Sequence, residues 1–297
     1  MTMKPAGGIE KIIPILPPKG SYYPYRLKAI EKAIIKQPEA HFLPFIQSVV
    51  KAQEAAYQAL KKDHPLSPIV VNNDNNAKTP FLSVDQSITP LYKQALLTMI
   101  ETLLVDPEIN NEIKTHLIAL QAEIDQQDEA LITEYYQKLI ALEFNDLPQH
   151  QRLFLATALQ VLLHFDTSRI QVDEDYLLRN KELCPCCNMP AISSVLDNSD
   201  NGLRYLYCSF CETKWHVVRG QCTECHSNKS LYQSKIEALD RPIYAEVCDE
   251  CHTYLKTVDR TKTLIADPFI EDILTLPLSL RLSEDEYQTF GLNPYLI

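Results

Sequence analysis

Eight of the nine cysteines form four C-x-x-C pairs: Cys184 with Cys187, Cys208 with Cys211, Cys222 with Cys225, and Cys248 with Cys251. All nine lie within 68 residues, and the 183 residues before Cys184 contain none. Two residues between cysteines let one tight turn aim both sulfurs at one ion, and two such knuckles complete a tetrahedral four-sulfur site. Four regular pairs in so short a span do not read as free structural thiols. Between Cys187 and Cys208 stand 20 residues, and between Cys225 and Cys248 stand 22, each enough for a short hairpin. Only 10 separate Cys211 from Cys222. The simplest pairing is therefore consecutive, with Cys184, Cys187, Cys208 and Cys211 at one site and Cys222, Cys225, Cys248 and Cys251 at the other. An interleaved pairing is compatible with the same spacings. Such sites take zinc or a single iron, and eight engaged sulfurs leave no open position for a catalytic zinc.

Strand-like runs suit the hairpins. Leu203 to Tyr207 leads into the second knuckle and Trp215 to Val218 leaves it; Ile243 to Val247 leads into the fourth and Tyr254 to Val258 leaves it. Asn188 follows Cys187 at a turn position where asparagine tolerates a left-handed backbone. Each ribbon is too small to hold a core alone, so bound metal would supply much of its folding energy. Tyr207, Phe210, Trp215 and Tyr254 read mainly as core.

The chain has 297 residues, which predicts about two domains at roughly 150 residues each. Its 6 glycines leave none between Tyr22 and Asn201, so neither a dinucleotide-binding turn nor a phosphate-cradling loop can be built there. That half reads as helices. Thr89-Pro90 and Asp106-Pro107 pair a capping side chain with a proline at the first helical position, a start signal. Ile109, Ile113, Leu117, Leu120 and Ile124 then share one face, as do Leu91, Leu96, Ile100, Leu103 and Leu104. A further helix is expected from about Glu39 to Lys61, and another through Leu131, Tyr135, Leu139 and Leu142. Leu153 to Phe165 is apolar on nearly all sides and belongs at the bundle centre. At 13 residues it is shorter than the about 18 a membrane span needs. Asn72 to Thr79 reads as a surface loop. After the ribbons, Asp267-Pro268 predicts another helix start, Ser283 with Glu286 a capping box, Gly291 a C-terminal stop, and the ending through Tyr295 an apolar tail packed back on the body.

The net charge of −11, from 28 basic and 39 acidic residues, argues against a nucleic-acid partner, and four-thiolate sites would add negative charge. The N-terminus does not read as a signal peptide, since Pro14, Pro17 and Pro18 break its apolar patch. A cytoplasmic protein with reduced thiols is expected. Cys222 to His226 and Cys248 to His252 each match the C-x-x-C-H haem-attachment pattern, but such attachment accompanies export and would strand the other two pairs. Cys186 reads as an incidental neighbour of its pair, and His216 as a strand residue. His64, His116, His150 and His164 have no metal spacing with one another, and no catalytic triad or carboxylate pair stands out.

The segment Gly202 to Arg219, GLRYLYCSFCETKWHVVR, is very similar to the FdhE family of formate dehydrogenase accessory proteins. Cys222-x-x-Cys225, Cys248-Asp249-Glu250-Cys251 and Thr253 to Lys256 continue the likeness in order. Cys184-Pro185-x-Cys187 with Met189-Pro190, and Asn293 to Leu296, also fit. A weaker likeness covers Phe42 to Tyr57, especially Ala52-Gln53-Glu54. The first knuckle departs by carrying Asn188 and by being one residue shorter before Met189. The resemblance implies a cytoplasmic maturation factor for respiratory formate dehydrogenase, rubredoxin-like in its metal-binding part, that binds the catalytic subunit before export. It carries the metal-ligand role to the eight paired cysteines alone.

The expected fold is α+β: an extended segment over 1–25, a helical domain over 26–180, rubredoxin-like ribbons over 181–219 and 220–262, and a helical tail over 263–297. The expected function is non-enzymatic: binding the formate dehydrogenase catalytic subunit during assembly, with two ions of iron or zinc. The alternatives are a rubredoxin-like electron carrier with iron at these sites, a nucleic-acid-binding double ribbon, and a thiol oxidoreductase using Cys186. Oligomeric state is not legible in the sequence.

Overall fold

Proline sets where most of the helices begin. In the computed structural model α1 (Tyr23–Lys36), α2 (Leu43–Asp63), α3 (Thr89–Val105), α7 (Pro268–Leu274) and α8 (Leu276–Glu284) each carry proline in the first two positions, where its missing N–H costs nothing. The structure describes residues 12–65, 67–73, 80–82, 89–126, 129–178, 181–196, 202–261, 263 and 265–297. Of the loop expected over Asn72 to Thr79, 74–79 lie outside the described residues.

The Asp106-Pro107 start is corrected. Asp106 Oδ1 accepts from Glu108 N at 2.9 Å, closing a turn, and α4 (Asn111–Gln126) begins only after Asn110, whose Oδ1 accepts from Ile113 N at 2.9 Å. Two side chains compete to cap, and the one nearer the continuous apolar stripe starts the helix. With α5 (Glu129–Ile140) and α6 (Arg152–Thr167) the bundle is complete; every α6 residue from Phe154 to Thr167 is buried, as its sequence predicts. Leu142, read as part of the α5 stripe, lies past the helix end in a left-handed turn, φ 61°. Two short strands, β2 (Ile69–Val71) and β3 (Ile170–Val172), pair in parallel beside the bundle.

The cysteine-rich part is one sheet. β1 (Ile15–Leu16), β4 (Ala191–Leu196), β5 (Arg204–Cys208), β6 (Lys214–His216), β7 (Leu231–Ser234), β8 (Ile243–Cys248) and β9 (Thr253–Asp259) run in the order β1-β6-β5-β4-β9-β8-β7. β10 (Gln288–Thr289) adds in parallel beside β9. The hairpins β5–β6 and β8–β9 are the two ribbons, and parallel pairing of β4 with β9 fuses them. Neither ribbon therefore stands alone. β4, buried at every position, packs against α7, and one continuous buried cluster runs from the helices through the first ribbon. A smaller cluster, Ala245, Val247 and Tyr254 under Leu278 and Leu282 of α8, covers the second ribbon.

Two C-terminal expectations are also corrected. Ser283 lies inside α8, and Glu286 takes a left-handed φ of 66° after its end, so the pair ends a helix instead of starting one. Gly291 is no helix stop. A Cβ there would stand 2.5 Å from the Ile192 carbonyl oxygen, so glycine lets the tail lie against β4, where Leu292 N donates to Ala191 O at 3.1 Å. Gly291→Ala is expected to cost about 1–3 kcal/mol, since backbone must shift to admit the methyl group; a denaturant midpoint equal to wild type would refute this. Tyr295 packs the tail onto the body at 3% exposure, as expected. No helix among the described residues is long and apolar enough to cross a membrane.

Candidate metal centres

β5 and β8 each end in the first cysteine of a knuckle, Cys208 and Cys248, so the hairpin turn itself delivers a sulfur pair. The other two knuckles, Cys184–Cys187 and Cys222–Cys225, come from connecting chain and meet those turns face to face. The sulfurs gather as the consecutive pairing predicts, into Cys184, Cys187, Cys208 and Cys211, and Cys222, Cys225, Cys248 and Cys251. Within each group all sulfurs lie within 4.8 Å of one another. Across the first, Cys184 to Cys211 and Cys187 to Cys208 are each 3.5 Å; across the second, Cys222 to Cys251 is 3.6 Å and Cys225 to Cys248 is 3.7 Å. A metal–sulfur bond of about 2.3 Å gives a tetrahedron with edges near ~3.8 Å, so both groups could hold one ion.

Local geometry repeats four times. The residue after each second cysteine is left-handed: Asn188 (φ 63°), Glu212 (63°), His226 (60°) and His252 (54°). This explains the haem-like histidines, which hold turn positions. The His226 ring reaches Glu182 at 3.7 Å, and that of His252 packs on Tyr287. In both hairpins a threonine two residues on faces the second sulfur, Thr213 Oγ1 3.2 Å from Cys211 and Thr253 Oγ1 3.1 Å from Cys251. Phe210 N donates to Cys208 Sγ at 3.4 Å. Burial pushes the Cys184, Cys187 and Cys208 thiols up; at Cys211 bonds from the neighbouring sulfurs and Thr213 outweigh burial and bring it down. In the second group burial raises Cys222 to about 12, while Thr253 and the other sulfurs lower Cys251 against the same effect. A bound cation would favour the thiolate form of all four sulfurs.

Cys186 stays outside both groups and is 0% exposed, which gives an external thiol no route to it. His216 is a strand residue whose ring meets Tyr205. Tyr207, Phe210, Trp215 and Tyr254 are all buried. His64 bonds Gln94 Oε1 at 2.7 Å, and His116 and His150 stack with ring centres 4.3 Å apart.

Sequence reasoning missed a charged network behind the first group. Arg26 Nη2 lies 3.0 Å from Glu212 Oε1 and Arg26 Nε 3.1 Å from Asp267 Oδ1, all three side chains at 0–1% exposure. His164 Nδ1 is 3.3 Å from Glu212, and Tyr207 Oη donates to the other Glu212 oxygen at 2.8 Å. Gln53 donates to Gln160 at 2.7 Å, and Gln160 donates to the Ser209 carbonyl at 3.0 Å, tying α2 and α6 to the Cys208 knuckle. Burial alone would raise the Glu212 carboxyl, but Arg26 and His164 hold it down at about 2 from an ordinary 4.5. A carboxyl lowered by folding stabilises above its unfolded value and loses that contribution as pH falls toward the folded one. The stability gap between wild type and Glu212→Gln is therefore expected to narrow as pH drops from about 6 toward 2 in urea titrations; a constant gap would contradict it.

Three adjoining family models match the chain: "FdhE, N-terminal" over 23–176, "FdhE, central domain" over 183–219 and "FdhE, C-terminal domain" over 220–296. A "Protein FdhE homolog" of Proteus mirabilis (strain HI4320) is 30% identical over 307 aligned residues, covering 97% of this chain and 94% of that protein. One of Edwardsiella ictaluri (strain 93-146) is 28% identical, covering 98% and 94%. The fold is similar to the crystal structure of the FdhE protein from Pseudomonas aeruginosa, with a TM-score of 0.68 at 23% identity, covering 95% of this chain and 98% of that one. With the N-terminal model alone spanning more than half the sequence and the other two covering both sulfur groups, the chain belongs to the FdhE family.

Proposed function

We propose that this chain is a cytoplasmic, non-enzymatic accessory factor in the maturation of formate dehydrogenase, and that it binds the catalytic subunit. The observation that carries the reading is a pair of closed four-sulfur groups in a member of the FdhE family. The eight cysteines serve as ligands of two ions, iron or zinc. When bound, each ion would offset part of the charge of its four thiolates and fasten its two knuckles, which would shape the ribbon, with no open position left for substrate. Four sulfurs per group support a platform over a reaction centre. A tagged full chain, used as bait in anaerobic, nitrate-grown cells, is expected to recover the formate dehydrogenase catalytic subunit. Its absence from the recovered material, with the bait folded and loaded, would overturn the reading.

One observation favours the electron-carrier alternative: Cys225 is exposed, which brings the second group within reach of a redox partner. Iron with a rubredoxin-type visible band in anaerobically purified protein, bleached by dithionite, would support it. Zinc at both sites would remove it.

A further inference from the structure

The two sulfur groups are built to different depths. Cys184, Cys187, Cys208 and Cys211 are each at most 1% exposed and belong to the main core. In the second group Cys222 and Cys248 are buried, but Cys225 is exposed and Cys251 is half-buried. Neither belongs to a buried cluster, and Glu224, His226, Asp249 and Glu250 beside them are exposed as well.

The second group is also held differently. Cys248 ends β8 and inherits its ladder, whereas the Cys222–Cys225 knuckle belongs to no strand. It hangs on Arg204, a residue of the other ribbon that is 2% exposed. Arg204 Nη1 donates to the carbonyls of Val218 at 3.3 Å and Gln221 at 3.1 Å, and Nη2 donates to Thr223 Oγ1 at 3.1 Å. The same guanidinium meets Glu246 of β8 at 2.5 Å and donates through Nε to Ser194 of β4 at 3.2 Å. One planar fork thus fixes the knuckle carrying Cys222 to the strand carrying Cys248, a task a lysine's single point charge does not reproduce.

We propose that the second group is an exchange site, at which an external thiolate takes the ion from the Cys225–Cys251 side while the first group retains its own, and that Arg204 is the positioning residue that holds the Cys222–Cys225 knuckle against release. The proposal rests on the ligand reading given above. In the step, an external thiol loses its proton to solvent and the resulting thiolate bonds to the ion as the bond from Cys225 Sγ breaks and Cys225 takes up a proton; Cys251, Cys222 and Cys248 are then displaced and protonated in the same way as the ion passes to the incoming sulfurs. No electron changes hands. The buried first group excludes the incoming sulfur, and exposure decides which site reacts.

The test uses the full chain loaded with zinc and challenged with glutathione in the presence of a chromophoric zinc chelator. Two phases of one equivalent each are expected. Cys225→Ser loses the fast phase and keeps the slow one. Arg204→Lys speeds the fast phase about tenfold, the loss typical of removing a partner that orients a ligand, and leaves the slow phase unchanged. The slow phase is the internal control, because general loosening of the fold would speed both. Thr223→Val, which removes one contact, is expected to shift the fast phase in the same direction by less. A chain that holds two zinc ions and yields both in one phase, or an Arg204→Lys chain in which both phases accelerate alike, overturns the exchange site. A chain that takes up neither zinc nor iron overturns the ligand reading beneath it as well.

Discussion

Arg26→Met is expected to cost the fold about 3–5 kcal/mol, the penalty for removing one partner of a buried charge cluster. Arg26 is 0% exposed and bridges Glu212 and Asp267, with Phe269 stacked 4.1 Å from its guanidinium. Its Nη1 also donates to Tyr295 Oη at 3.1 Å, so one side chain fastens α1, the turn after Cys211, the start of α7 and the C-terminal tail. Methionine keeps the length and the apolar stem but leaves two buried carboxylates facing a thioether. Asp267 retains Phe269 N at 3.0 Å and Ile270 N at 3.2 Å; Glu212 retains His164 and Tyr207. Adding Glu212→Gln to Arg26→Met should therefore recover part of the loss, a coupling that independent sites would not show. Equilibrium denaturation of the two single variants and the double variant measures it. A cost under about 1 kcal/mol for Arg26→Met would mean that the carboxylates are neutral or hydrated in the native state.

The network also marks the boundary of what local pattern reveals. The cysteine spacings make consecutive quartets the simpler of two pairings, because a ten-residue link between Cys211 and Cys222 sits beside two longer hairpin gaps, and the structure groups the sulfurs consecutively. The helix start at Pro268 is legible for the same reason, since Asp267 and the proline act within one turn; at Pro90 the proline alone marks the start, because the Thr89 hydroxyl is buried and caps nothing. Asp106 fails because Asn110, four residues on, offers an equal cap closer to the apolar stripe. Gly291 fails because its role lies against Ile192, far away in sequence. Parallel pairing of β4 with β9, which makes one sheet of two ribbons, leaves no local trace either. The pairing of Arg26 with Glu212 spans most of the chain, and an arginine among ordinary helix residues carries no signal of it. Two stretches of the family resemblance do lead there. Gln53 and Tyr295 both sit in this network, bonded to each other through the tyrosine hydroxyl and the glutamine carbonyl oxygen.

Cys208→Ala and Cys248→Ala should part company in a way that two free-standing ribbons would not. With the sulfurs acting as ligands, each substitution removes one ion from the chain, and with it a binding energy of order ~10 kcal/mol that is coupled to folding. That exceeds or matches the whole stability of many domains, so the affected ribbon should lose its fixed structure. What differs is its neighbour. Cys208 lies in the buried cluster shared with α6, and the adjoining Ser209 carbonyl accepts the Gln160 side chain, itself bonded to Gln53 of α2. Loss of the first group therefore unseats the helices, and the thermal midpoint read from their far-ultraviolet signal should fall well below wild type. Cys248 lies outside the main buried cluster and borders the smaller one under α8. Its loss should leave the helical midpoint close to wild type while one equivalent of metal disappears from elemental analysis. The order of the two effects is the decisive point. Equal midpoints for the two variants would show that the helices do not depend on the first ribbon, and a Cys208→Ala chain that still carries two ions would show that Cys208 is no ligand.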